Sequence, residues 1–195
     1  LATPESIRRI AKILKDRSQN DQLLVVLSAF GGITNDLIRA GEEASQGLAS
    51  YRSITQQIRD RHQQAILELI PSPDTDAVMN EVKLMLSELE EKCYGVYLLR
   101  ELSLKTKDDL VSYGERLSTK IISNHLKSIG MDALELDSRK NILTDDEYTC
   151  AKVNREVTSK NIAAWKGKAQ CLVAQGFIGS TEDGNTTTLG RGGSD

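Results

Sequence analysis

The sequence predicts an α/β chain with a mainly parallel sheet interrupted by a long helical block, and three observations carry that expectation. Two short apolar runs, QLLVVLS at 22–28 and AQCLVA at 169–174, are too brief for helices, and the first is rich in branched residues. Such runs suit strands buried on both faces of a parallel sheet. A third short run, DALELD at 132–137, reads as another strand, so the order strand, helix, strand, helix, strand implies parallel pairing with right-handed crossovers. Finally, residues 34–128 show helical periodicity almost throughout, which is unusual inside a doubly wound fold.

Taken in order, the chain opens on a helix over 4–17. Thr3 is placed as its N-cap, Pro4 at its first position and Glu5 in its first turn, with Ile7, Ile10, Ala11 and Leu14 as the apolar stripe. After the first strand a glycine pair leads into a helix from Thr34 to about Ser45, and a second helix runs over 51–70 with Ile54, Ile58, Ala65, Ile66 and Leu69 on one side. Pro71 and Pro73 stop it, because proline lacks an amide hydrogen and restricts the residue before it. Asp74 can cap the next helix, whose apolar residues recur at three and four from Val78 to Leu99, ending near Leu102. A helix over 107–128 follows, tightened near Gly114, and another over 154–165 precedes the AQCLVA strand. Asp183 and Gly184 mark a hairpin-type turn between QGFIGS and the three threonines 186–188.

Composition narrows the function. A chain of 195 residues with 39% hydrophobic and 27% charged residues is that of an ordinary globular protein with one core. A net charge of −3, with lysines and arginines scattered, gives no basic patch for nucleic acid. No apolar run is long enough to span a bilayer and no signal-peptide order opens the chain, so a cytoplasmic location without membrane contact is expected. Cys93, Cys150 and Cys171 are too widely spaced for a metal pair or a disulfide framework and are expected to be buried free thiols. His62 and His125 lack companions at metal-ligand spacing; surface or helix-flank positions are expected, and no metal site.

Four stretches could carry chemistry. SAFGGITN, residues 28–35, follows the first strand and opens a helix, and QGFIGS, residues 175–180, follows a later strand. In open parallel sheets ligands bind beyond the carboxyl ends of strands, where helix N-termini offer amide donors to anions. Gly31 and Gly32 would let backbone approach an oxyanion, with the Ser28 and Thr34 hydroxyls beside them; a plain turn with Thr34 as N-cap explains the same residues. The spacing fits neither a dinucleotide fingerprint nor a P-loop. In VSYGERLS, residues 111–118, Gly114 and Glu115 fit either a close helix contact with a solvated charge or a carboxylate facing the crevice. TTTLGRGGSD, residues 186–195, brings strand propensity and then flexible backbone carrying one guanidinium, one hydroxyl and one carboxylate, though glycine-rich ends are also often tails.

Together, in this order and at these separations, SAFGGITN, VSYGERLS, QGFIGS and TTTLGRGGSD resemble the amino-terminal part of the catalytic region of the aspartokinases, within the amino acid kinase family. The resemblance covers the whole chain, including the helical insertion. It implies a three-layer sandwich around a mainly parallel sheet, and transfer of the γ-phosphoryl group of ATP, with Mg2+, to the side-chain carboxylate of L-aspartate, the first step toward lysine, threonine and methionine. By the same resemblance Ser28 and Thr34 would contact substrate and the incoming phosphoryl group, with Gly31 and Gly32 beside it. Glu115 would pair with the substrate ammonium and Phe177 would sit against the amino acid. Arg191 would hold a substrate carboxylate, Gly192 and Ser194 would line the same pocket, and Asp195 would organise the lysines that stabilise transferred charge.

The residue chemistry agrees with this implication. A carboxylate of pKa near ~4 is already an ionised nucleophile at neutral pH, so no catalytic base is needed; positioning and charge shielding suffice. The family also carries a lysine in a KFGG motif ahead of the region matched here, and continues into a nucleotide-binding half and regulatory domains that would make the parent homo-oligomeric. The chain is therefore expected to be part of a longer enzyme, inactive by itself. The alternatives are another amino acid kinase acting on glutamate, a carbamate or a nucleotide, and a helical partner-binding module with plain turns.

Overall fold

The computed structural model describes residues 3–190. It opens with α1 (Pro4–Arg17), whose start is fixed as expected: the Thr3 hydroxyl accepts from the Ser6 amide in a reciprocal capping box, with proline in the first turn. Strand β1 (Leu23–Leu27) runs into the glycine pair and then α2 (Ile33–Ser45). The helical block continues with α3 (Tyr51–Leu69), α4 (Asp74–Leu99) and α5 (Leu104–Ser128). Helix α4 stops at Arg100, which takes the left-handed conformation at φ 58°, and Ser103 caps α5 by accepting from the Thr106 amide. Strand β2 (Ala133–Leu136), α6 (Arg155–Ala163), β3 (Cys171–Gln175), β4 (Ile178–Ser180) and β5 (Thr186–Thr188) complete the order.

Strands β1, β3 and β2 form one parallel sheet in that spatial order. The buried faces of α1 and α5 share a core with Leu27, Ala133, Cys171 and Val173 on one side of it. On the other side Trp165 and Ile162, at the end of α6, pack with Leu136, Leu172 and Ala174. Helix, sheet and helix make the three layers that the resemblance implies. The hairpin expected around Gly184 is present: β4 and β5 pair antiparallel from Ile178 opposite Thr188 to Ser180 opposite Thr186, and Gly184 turns at φ 77°.

Three expectations are corrected. Strand β1 is not buried on both faces. It lies at an edge of the sheet, and Leu24 and Val26 are 50% and 53% exposed. The cluster of Trp165 and Ile162 covers their register neighbours Leu172 and Ala174 but does not extend to β1. His62 and His125 are not surface residues; both are buried. They stand in apolar stripes, His62 four residues after Ile58 and His125 four after Ile121, and each satisfies one ring nitrogen on a backbone carbonyl, Ile58 and Leu69 respectively, at 2.7 Å. Among the thiols, Cys93 and Cys171 are buried as expected, whereas Cys150, in the irregular segment between β2 and α6, is exposed.

Candidate active site

The helical block matters to the site because α5 lies against the turn that follows β1. Gly114 makes the approach close: a Cβ built there would lie 2.8 Å from the Ala29 Cβ. The next residue, Glu115, thereby reaches the Ala29 amide, which donates to its Oε1 at 3.3 Å. One turn on, the Ser118 hydroxyl donates to the Ser28 carbonyl at 2.9 Å. The SAFGG turn is thus fastened to α5 by two side chains of the VSYGERLS stretch.

Beyond the ends of β1 and β3 an open cavity of about 450 Å3 is lined by Ser28, Thr34, Glu115 and Phe177, four residues expected at a site from sequence, together with Asp108 and Lys107. Helix α2 starts at Ile33, one residue before the expected Thr34. Its N-cap is Gly32 at φ 88°, with no side-chain cap, so Thr34 sits inside the first turn and is not the cap. The Ile33 amide donates to the Phe30 carbonyl at 3.0 Å, and no side chain caps the amides of Thr34 and Asn35 that follow it. Gly31 and Gly32 are exposed at this turn rather than lining the cavity, and the Arg61 guanidinium donates to the Gly31 carbonyl at 2.5 Å.

Glu115 is 3% exposed. Burial pushes its carboxyl up to about 7, against the amides of Ala29 and of Glu115 itself, which lower it. Its Oε2 is buried without a hydrogen-bond partner among the described residues. A carboxylate in that state is under-satisfied, and a cationic donor entering the cavity would complete it.

Backbone strain gathers here too. Of the three non-glycine residues at positive φ among the described residues, Thr149 (72°) and Phe177 (64°) both line the cavity, and such residues persist only where their surroundings over-determine them. The Phe177 carbonyl accepts from the Leu189 amide at 2.8 Å. Thr149 and β5 are held by Asp108, a residue not singled out from sequence: 1% exposed, it accepts from the Thr149 amide at 2.9 Å, the Thr188 amide at 2.8 Å and the Thr188 hydroxyl at 2.6 Å. Its signal lay in spacing, since it falls about two helical turns before Glu115 on the same face of α5. Arg191, Gly192, Ser194 and Asp195 lie outside the described residues. Among the described residues no group of three or more His, Cys, Asp or Glu side chains could hold a metal ion, and no helix is long and apolar enough to cross a membrane.

A parallel sheet with a glycine turn opening a helix beyond one strand and a buried glutamate across the crevice is the arrangement in which proteins of the open α/β type bind small molecules. The amino acid kinase family model matches residues 1–195, and the chain belongs to that family. Its similarity runs to aspartokinases. It is 33% identical over 205 residues to the chloroplastic aspartokinase 1 of Arabidopsis thaliana, covering 100% of this chain and 35% of that protein. It is 33% identical over 180 residues to the lysine-sensitive aspartokinase 3 of Escherichia coli strain K12, covering 88% of this chain and 37% of that protein. Among solved structures, E. coli aspartokinase III in complex with aspartate and ADP superposes at TM-score 0.86 and 30% identity, over 99% of this chain and 42% of that one. The chain thus spans little more than a third of the curated relatives it matches.

Proposed function

We propose that the chain forms the amino-acid-binding part of an aspartate kinase, which transfers the γ-phosphoryl group of ATP to the side-chain carboxylate of L-aspartate and yields 4-phospho-L-aspartate and ADP. The observation that carries this reading is Glu115: a buried carboxylate with one oxygen unpartnered, lining one cavity with Ser28, Thr34 and Phe177. The E. coli relative whose complex contains aspartate and ADP has the same fold at 30% identity.

In this reading Glu115 pairs with the α-ammonium, and the Phe177 ring packs against the short carbon chain. Arg191, with Gly192 and Ser194, holds the α-carboxylate. A zwitterion is thereby read by opposite charges at its two ends. The side-chain carboxylate is already ionised at neutral pH and attacks phosphorus directly. A new oxygen–phosphorus bond forms as the bond from the γ-phosphorus to the bridging oxygen breaks, and ADP leaves with the electron pair. The Ser28 and Thr34 hydroxyls and the amides of Thr34 and Asn35 in the first turn of α2, beside Gly31 and Gly32, stabilise the charge on the transferred group. Asp195 orders the cations around it. Magnesium, bound with the nucleotide, would supply charge neutralisation for its phosphates.

Turnover belongs to a polypeptide of the relatives' length, and the 195 residues alone are expected to be inactive. The test is trapping of the acyl phosphate by hydroxylamine, with L-aspartate and magnesium ATP, on the full-length protein containing this chain and on the chain itself. Hydroxamate from the full-length protein alone is expected. Hydroxamate from glutamate but not aspartate would reassign the acceptor, and turnover by the isolated chain would refute its inactivity.

A further inference from the structure

We infer that Asp108 is a positioning residue for the amino-acid end of this site, an inference that rests on the reading proposed above. Its carboxylate is the joint between three parts of the pocket that are remote in sequence. From α5 it accepts the amide of Thr149 at the 149 corner and both the amide and the hydroxyl of Thr188 at the end of β5. The same helix carries Glu115. The carboxylate therefore fixes the end of β5 relative to the group that reads the ammonium, and residues 189–195 follow that end in sequence.

Two features separate this from an ordinary buried hydrogen bond. Asp108 is buried with no Lys or Arg paired to it among the described residues, so neutral donors alone satisfy a costly buried acid. Moreover, two of the residues it governs are strained or coupled to strain. Thr149 holds φ 72°, and Thr188 is followed by Leu189, whose amide donates to the carbonyl of Phe177, itself at φ 64°. Removing the carboxylate frees the 149 corner and the β5 end together, and with them the part of the cavity lining formed by Thr149, Phe177 and Thr188. The nucleotide side of the site, built by the turn into α2, is fastened to α5 independently through Glu115 and Ser118.

The consequence is selective. In the full-length protein, Asp108→Ala should raise the KM for aspartate about tenfold or more, as loss of a charged acceptor for three buried donors implies, while the KM for ATP changes less than about threefold. Asp108→Asn should recover most of the loss, because its carbonyl can accept both amides while its NH2 donates to the Thr188 hydroxyl. Thr188→Val removes only the 2.6 Å bond and serves if Asp108→Ala does not fold; a rise of a few-fold confined to aspartate is expected. Equal rises for both substrates, or an unchanged aspartate KM in a folded Asp108→Ala protein of lowered melting temperature, would overturn the positioning role and leave the functional reading standing. A wild-type protein that never phosphorylates aspartate would overturn both.

Discussion

Gly114 of α5 and Ala29 of the turn after β1 meet so closely that a methyl group on the glycine would lie 2.8 Å from the alanine Cβ. That contact sets the depth at which Glu115 sits and lets its carboxylate take the Ala29 amide. Gly114→Ala should therefore push α5 from the turn, at a cost of ~1–3 kcal/mol, and loosen aspartate binding as well. Denaturant unfolding of variant and wild type measures the first effect and the aspartate KM of the full-length protein the second.

The stability of the unliganded protein should carry the signature of Glu115. Its carboxyl is raised from 4.5 to about 7 by burial, so the folded state binds the extra proton. The stabilisation is complete below about 4.5 and is lost as pH rises toward 7, a difference on the order of 3 kcal/mol. Glu115→Gln should remove this slope and be more stable than wild type near pH 8. Unfolding free energies between pH 5 and pH 8, roughly the range of reversible titration, test it.

His62 should act in the opposite sense. Burial lowers its pKa from 6.5 to about 4, and its ring stacks on Phe30 at 5.1 Å with Nε2 buried and without a hydrogen-bond partner among the described residues. Its contribution is present above pH 6.5 and is lost as pH falls toward 4. His62→Phe keeps the stack and should flatten the acid limb of the melting-temperature profile. An acid limb unchanged in that variant would remove His62 from the explanation.

The three cysteines should separate in a thiol titration. Cys150 is exposed, whereas Cys93 and Cys171 are buried, and burial pushes Cys93 up to about 12. A disulfide reagent should modify Cys150 at once in the native 195-residue protein and the other two only on unfolding. Rapid modification of Cys93 would contradict the packing of α4.

Much of this could be read from the sequence because periodicity and punctuation act locally. The Thr3 and Pro4 start, the β1 and β3 runs and the Gly184 turn each depend on a few neighbouring residues, and each was found. Ser28, Thr34 and Phe177 are legible because they follow strand ends, where open sheets bind ligands, whereas Glu115, inside α5, is marked only by the family resemblance; all four line one cavity. What escaped depended on partners distant in the chain. The burial of Asp108 requires β5, about eighty residues later, to fold against α5. Only the packing of the sheet reveals that β1 lies at an edge. The histidines depart from expectation for a different reason: both fit the apolar stripes of their helices, and position in the stripe outweighs the polarity of the ring.

The most direct test is the aspartate affinity of Glu115→Gln in the full-length protein at about pH 8, where the wild-type carboxyl is ionised. Calorimetric titration should show binding weakened about tenfold or more, with ATP affinity nearly unchanged. Aspartate bound equally well by variant and wild type would mean that the buried carboxylate does not read the ammonium.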